Sequence, residues 1–186
     1  ARIFRAAYQY YYLNIDGLTR PPTNDNIIDP QLKIAAYNQN NSDINGVTSP
    51  WKRFLGLNNF IKLYNPDRRI DNIHGTTIHE LAHATHWKIC SPKSNYNGSD
   101  DIVAESWARG VQWWLTKKYY SSYSPYYNNI YTGVVEDMID GTSGYDGVSN
   151  YTIVELEQAV KNKKTWSDWK NNIKTMYSNA TESNLD

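Results

Sequence analysis

The chain has only one cysteine, no excess of charge of either sign and no long hydrophobic run. The single cysteine, Cys90, excludes an intrachain disulfide and a zinc site built from several thiolates. Lys plus Arg and Asp plus Glu each number 19, so the composition gives no indication of a nucleic-acid partner or an anionic membrane. No apolar stretch approaches the roughly 20 residues that cross a bilayer, so no membrane span is expected.

Length and composition favour one compact unit. The 186 residues fit a single domain, 1–186, and contain no internal repeat, no heptad run and no strong signal for an oligomer. Tyrosine and tryptophan are abundant, and both can pack a core or line a cleft that binds peptides or sugars. Many Asn and Tyr residues with little charge and almost no Cys resemble an exported protein, so we expect a secreted, periplasmic or cell-surface location.

Apolar residues recur at helical spacing along most of the chain, whereas alternating segments occur only in its first half. Asp16-Gly17 ends the first helix, Ser99 is the expected N-cap of a later one, and Thr165 with Asp168 begins the last. The pattern predicts helices over about 3–15, 72–87, 99–118, 124–140, 152–162 and 166–177, strands over 33–37 and 60–64, and a helical turn over 50–54. The expected fold class is therefore α+β, mainly helical, with a small sheet preceding the helix at 72–87.

One local pattern indicates chemistry: His79-Glu80-Leu81-Ala82-His83, inside the helix predicted over 72–87. A chance match is expected in roughly one such chain in several hundred. Residues four apart share a helix face, so both imidazoles can bind one ion at about 2.0–2.1 Å. Glu80 is turned toward the open side of the metal, where it can deprotonate a metal-bound water. The motif therefore predicts Zn²⁺ ligands at His79 and His83 and a general base at Glu80.

Two histidines are too few for a catalytic zinc, which normally has three protein ligands. His86 lies seven residues after His79, about 10.5 Å along a straight helix, so it is not expected to be a ligand. It would instead support a ligand, line the cleft or be simply a polar residue near the helix end. Glu105 is the favoured third ligand, because a carboxylate among apolar neighbours on the next helix needs a partner. A salt bridge between Glu105 and Arg109 is the structural alternative, and Asp100 or Asp101 is the other candidate for the ligand.

The segment Thr77 to Ala84, followed after a loop by Ala104-Glu105-Ser106-Trp107-Ala108, resembles the gluzincin clan of zincin metallopeptidases. This clan includes thermolysin-like enzymes and zinc aminopeptidases, and the resemblance covers about residues 60–115. It implies that His79, His83 and Glu105 hold zinc, that Glu80 is the base, and that a strand at the cleft rim, the 60–64 segment, pairs with the substrate backbone. Where thermolysin-like enzymes have an aspartate that orients a histidine, this chain has Arg109.

The expected function is therefore that of a zinc-dependent peptidase, with an endopeptidase favoured over an aminopeptidase because no motif provides acids for a substrate amine. A tetrahedral oxyanion needs one more donor, for which Tyr145 and Tyr127 are the candidates. The partner would be a peptide or protein substrate. A different class of function is an aromatic-rich protein- or glycan-binding module on a zincin scaffold with little or no catalysis, although the intact Glu80 argues against an inactive site.

Overall fold

The computed structural model describes residues 2–23, 32–38, 46–48, 61–65, 69–140 and 147–185. Over these residues the fold is α+β and mainly helical, with a small sheet before the motif helix, which confirms the predicted class. The helices are α1 (Arg2–Tyr12), α2 (Ile70–Ile89), α3 (Ser94–Asn97), α4 (Asp101–Lys117), α5 (Val134–Asp140), α6 (Ile153–Val160) and α7 (Trp166–Met176), and a 3-10 helix (Glu182–Leu185) follows them. The strands are β1 (Ile34–Tyr37), β2 (Gly46–Thr48) and β3 (Ile61–Tyr64). None of the described helices has both the length and the apolar character that a membrane crossing needs.

Helix α2, which carries the motif, is the centre of the molecule. It packs against α4, α1 and strands β2 and β3, and it is buried on almost all sides. Polar groups inside such a helix need partners, and the hydroxyls of Thr77 and Thr85 donate to the carbonyls of Ile73 and Leu81 one turn earlier. The surrounding core is aliphatic and aromatic and includes Tyr10, Ile61, Leu63, Ile78, Leu81, Trp107, Val111, Leu115, Leu156 and Trp169. The motif is therefore held in a rigid, closely packed setting.

The sheet has the order β1-β3-β2. Strand β1 is parallel to β3, with Ile34 opposite Ile61, and β2 is antiparallel to it, with Thr48 also opposite Ile61. Within the predicted strand 60–64, the described residues Ile61–Tyr64 therefore form the central strand, with hydrogen-bonded neighbours on both sides. The expectation that it pairs with a substrate is wrong for this reason. Among the described strands, β2 is the one that borders α2 and has an unpaired edge.

Two predicted helix starts are also wrong. Ser99 does not cap α4, because its hydroxyl donates to the Asn95 carbonyl at 2.9 Å and the N-cap is Asp100. The helix expected from Ser124-Pro125 begins only at Val134. Before it, the Asn128 side chain accepts hydrogen bonds from the backbone of Ile130 and Tyr131, at 2.9 and 2.8 Å, and such a local turn competes with helix formation.

Two other predicted helix starts hold, whereas the first helix ends at Tyr12, before the predicted stop at Asp16-Gly17. The Thr165 side chain accepts a hydrogen bond from the Asp168 backbone at the start of α7, as the sequence indicates. Thr152 and Glu155 form a reciprocal capping box at the start of α6. The predicted helical turn over 50–54 lies outside the described residues, as does Tyr145.

Candidate metal centre

His79 and His83 lie one turn apart on α2 and direct their imidazoles to the same point. Their ring centroids are 4.7 Å apart with planes at 86°, and their Nε2 atoms are 3.1 Å apart. Both side chains are buried, with only 6% of each residue exposed. Helical geometry alone puts residues four apart on one face, and the packing of α2 then fixes the rings in this convergent arrangement.

Glu105 reaches the two histidines from the neighbouring helix α4. Its Oε2 atom lies 2.9 Å from His79 Nε2 and 3.2 Å from His83 Nε2. The alternative pairing with Arg109 is not formed: the Arg109 guanidinium donates to the Gln112 side chain at 2.7 Å. The structure thus brings together all three residues predicted as ligands.

These three atoms form a triangle that suits a metal ion. His79, His83 and Glu105 are the one group of His, Cys, Asp or Glu in the described part of the chain that can hold such an ion. Each imidazole can donate a proton from its Nε2 atom to the Glu105 carboxylate. The two N–H groups then face each other unfavourably, because their nitrogens are only 3.1 Å apart. A cation at the centre satisfies all three atoms, and tetrahedral ligands at about 2.0–2.1 Å from zinc lie about 3.3 Å apart, close to the observed separations.

The electrostatics of the group keep the ligand atoms available. Burial lowers the pKa of His79 to about 4, so this imidazole is neutral and has a free electron pair. Burial also acts to lower the pKa of His83, but the carboxylates of Glu105 and Glu80 outweigh it and the pKa is raised. For Glu105, burial acts to raise the pKa, yet the two histidines hold it well below its ordinary value and the group is a carboxylate.

Glu80, the predicted base, lies beside the triangle under strand β2. The Thr48 hydroxyl donates to Glu80 Oε2 at 2.7 Å, and an added Cβ at Gly46 would lie 2.4 Å from Oε1. Burial raises the pKa of Glu80 to about 7, although the charge of His83 and the hydrogen bond from Thr48 lower it. A carboxylate with a pKa near neutrality is well matched to taking up and releasing a proton at physiological pH.

Tyr96, on α3, holds the far side of His83. Its hydroxyl lies 3.2 Å from His83 Nδ1, so it can orient the imidazole as outer groups orient metal-ligating histidines. The His86 ring packs edge-to-face on Tyr96, with ring centroids 5.0 Å apart, and its ring nitrogens have no side-chain hydrogen-bond partner among the described residues. The sequence indicated His86 as the supporting residue, whereas the direct contact is made by Tyr96, for which the sequence contains no motif.

A second unpredicted tyrosine, Tyr131, borders the other histidine. Its ring centroid is 5.9 Å from that of His79. The loop that carries it is fastened to α4, because the Ser106 hydroxyl, next to Glu105, donates to the Ile130 carbonyl at 3.1 Å and contacts Thr132 at 2.7 Å. Tyr131 is therefore positioned by the same helix that supplies the third ligand.

The tyrosines chosen from sequence are placed elsewhere or are undescribed. Tyr127 donates its hydroxyl to Glu136, and burial together with that carboxylate raises its pKa far above the ordinary value. None of its described hydrogen bonds is to the metal-binding group. Tyr145 lies outside the described residues.

Comparison with known proteins identifies no relative of this chain. No protein-family model, no curated protein and no solved structure matches the chain at a significant level. Inference about function therefore depends on the geometry and chemistry of the group formed by His79, His83, Glu105 and Glu80.

Proposed function

We propose that the chain is a zinc-dependent peptidase of the zincin type with a gluzincin-like arrangement of ligands. One observation carries this proposal. The Nε2 atoms of His79 and His83 and the Oε2 atom of Glu105 lie within 3.2 Å of one another, and Glu80 is buried beside them. Two imidazoles and one carboxylate are the protein ligands of several catalytic zinc sites, which keep a further position open. A purely structural site would normally have four protein ligands.

His79, His83 and Glu105 would hold the ion. When bound, zinc supplies Lewis-acid chemistry, because it lowers the pKa of a coordinated water and polarises a carbonyl group. Neutral His79 and ionised Glu105 already have the protonation states that a metal requires. His83 would have to lose its proton on metal binding.

Glu80 would act as the general base. Its carboxylate accepts a proton from the water that attacks the peptide carbonyl and then passes that proton to the leaving amine. The Thr48 hydrogen bond leaves Oε1 free to take part and fixes the orientation of the carboxylate. Tyr131 replaces Tyr127 as our candidate for the donor that stabilises the oxyanion, because its ring adjoins His79.

Strand β2 would bind the substrate backbone. Among the described residues Gly46–Thr48 pairs with β3 on one side only, so its other edge can accept an extended peptide. The same three residues contact Glu80 through Thr48 and Gly46. A peptide added to this edge would therefore lie next to the proposed base.

The test uses purified protein, measured for bound metal by mass spectrometry and for cleavage of a denatured protein substrate. We expect stoichiometric zinc and cleavage that a chelator abolishes and zinc restores. Glu80→Gln should lower kcat by about 10²-fold to 10⁴-fold or more while retaining zinc, because it removes the base and no ligand. Glu182→Gln, which removes a carboxylate near the C-terminus, should leave both measurements unchanged.

The outcomes separate the possible functions. Parent protein without stoichiometric metal would overturn the proposal. Protein that holds zinc and cleaves nothing, with Glu80→Gln indistinguishable from the parent, would instead favour a binding module. Cleavage that is insensitive to both the chelator and Glu80→Gln would place the activity outside this site.

A further inference from the structure

Arg109 is a cation placed beside the candidate metal centre. It follows Glu105 by one turn of α4, so both side chains lie on the same helix face. Its guanidinium lies over the ring of Tyr131, 4.6 Å from the centroid, and that ring is the one 5.9 Å from His79. The Tyr131 ring therefore adjoins both the imidazole of the proposed ligand His79 and the guanidinium of Arg109.

This guanidinium has no carboxylate partner within ion-pair distance among the described residues. Its Nη1 donates to the neutral Gln112 side chain at 2.7 Å, and its Nε is buried without a hydrogen bond. Nη2 makes no hydrogen bond to a described residue and is not one of the buried polar atoms that lack a partner, and Arg109 as a whole is partly exposed. A partly buried arginine is normally paired, because removing a charge from water is costly.

The nearby acids are already engaged. Glu105 pairs with His79 and His83, and Glu80 accepts from Thr48. These two carboxylates would also balance the charge of a divalent ion in the centre. Among the described residues, no carboxylate then remains to pair with the charge of Arg109 at the edge of the site.

We propose that Arg109 binds a carboxylate of the peptide substrate and so makes the enzyme selective for substrates with a negative charge next to the cleaved bond. This inference rests on the proposed function, because its ligand is a peptide. The carboxylate can be the C-terminus of the substrate, which would make the enzyme a carboxypeptidase, or the side chain of an Asp or Glu residue. In either case one oxygen accepts from Nη2 while Tyr131 shields the other face of the guanidinium.

The first experiment needs no change to Arg109. Blocked hexapeptides are compared in four forms: a free C-terminal carboxylate, the corresponding amide, and amides with Glu or Gln beside the expected cleavage site. Binding to the zinc-loaded Glu80→Gln protein is measured by calorimetry, and KM and kcat are measured on the parent. We expect at least about tenfold tighter binding and lower KM for one carboxylate form, as a charge-assisted hydrogen bond gives.

The second experiment assigns that preference to Arg109. Arg109→Gln should remove the tenfold preference between charged and neutral peptides, whereas Arg109→Lys should keep part of it because it retains the charge. Lys117→Gln removes an equal charge from the exposed end of α4 and should retain the whole preference. If Arg109→Gln does not fold, the preference for charged peptides is compared between Arg109→Lys and the parent. A reduced preference supports the inference, and an unchanged preference overturns it.

The results distinguish failure of this inference from failure of the proposed function. Preference for the free C-terminus identifies a carboxypeptidase, and preference for internal Glu identifies acidic side-chain selectivity. Equal binding of charged and neutral peptides to the Glu80→Gln protein, with equal KM on the parent, overturns the inference even when metal-dependent cleavage occurs, as does a preference that Arg109→Gln retains. Tight, Arg109-dependent binding without any cleavage sustains the inference of a carboxylate site and overturns the proposed catalysis.

Discussion

At the scale of single residues, the two histidines of the centre are held differently. His83 is fixed at both ring nitrogens, with Nε2 in the ligand triangle and Nδ1 at 3.2 Å from the Tyr96 hydroxyl. His79 has its Nε2 in the triangle, but its buried Nδ1 has no hydrogen-bond partner in the part of the chain that the structure describes. When a metal takes Nε2, Nδ1 carries the proton, so Tyr96 then acts as the acceptor that sets the tautomer of His83.

Tyr96→Phe should therefore weaken metal binding and leave the fold intact. The phenyl ring keeps the packing against His86, and only the hydroxyl that orients His83 is lost. We expect zinc affinity to fall by about 10-fold to 100-fold, the usual effect of removing such an outer hydrogen bond, as measured by competition with a chromophoric chelator. Tyr126→Phe is the matched control, because Tyr126 is 77% exposed. Equal affinities in parent and Tyr96→Phe would show that His83 needs no orienting group.

At the scale of secondary-structure elements, the features that the sequence predicts are those that depend on residues close together in the chain. Helix α2 and its two histidines follow from local rules, namely apolar periodicity and the four-residue repeat of a helix face. The third ligand was inferred from an acid in an apolar segment, and α4 carries it to within 3.2 Å of both histidines. These features are encoded over short distances along the chain.

Strand β2 and Tyr131 depend on distant contacts. Gly46–Thr48 lies in an Asn-rich segment without alternating hydrophobicity, and it becomes a strand by pairing with β3 and packing on Glu80. Tyr131 is placed by a turn around Asn128 and by the anchoring of its loop to Ser106 on α4. Neither feature has a periodic pattern of apolar residues in the sequence. The sequence therefore does not predict strand β2 or the position of Tyr131 beside His79.

Gly46→Ala tests whether β2 holds the proposed base. An added Cβ would lie 2.4 Å from Glu80 Oε1 and 2.7 Å from its Cγ, so either the carboxylate or the strand must move. We expect kcat/KM for peptide cleavage to fall by about tenfold or more with zinc content unchanged, since small displacements of a catalytic group are costly. In Gly133→Ala the nearest atom would be 3.6 Å away, an ordinary contact, and activity should be retained. Parental activity in Gly46→Ala would separate β2 from the chemistry.

At the scale of the whole molecule, stability depends on pH through an imidazole that is buried outside the metal-binding pair. Helix α2 also buries His74, whose Nδ1 lies 3.4 Å from the Thr116 hydroxyl and whose Nε2 has no hydrogen-bond partner among the described residues. Its ring packs against Tyr119 and Tyr120. Burial, assisted by the charge of Arg5, lowers the pKa of His74 from 6.5 to about 4.

The sign of the resulting pH dependence follows from proton uptake. Above pH 6.5 His74 is neutral in both the folded and the unfolded chain. As the pH falls from 6.5 towards 4, the unfolded chain takes up a proton that the folded protein refuses, so the free energy of unfolding decreases. Below pH 4 both states are protonated and the loss is complete. The shift corresponds to about 3 kcal/mol, which is a large part of the stability of an ordinary domain.

Denaturant unfolding of the chelator-treated protein between pH 6.5 and pH 4 measures this loss without a contribution from metal binding. His74→Leu removes the titrating group and keeps an apolar side chain in its place, so we expect its unfolding free energy to decrease by about 3 kcal/mol less than that of the parent over this interval. Thr116→Val removes the hydroxyl near Nδ1 but leaves the imidazole, and its pH dependence should match the parent's. If His74→Leu and the parent lose the same stability, the acid sensitivity belongs to other groups and His74 is protonated in the folded protein without cost.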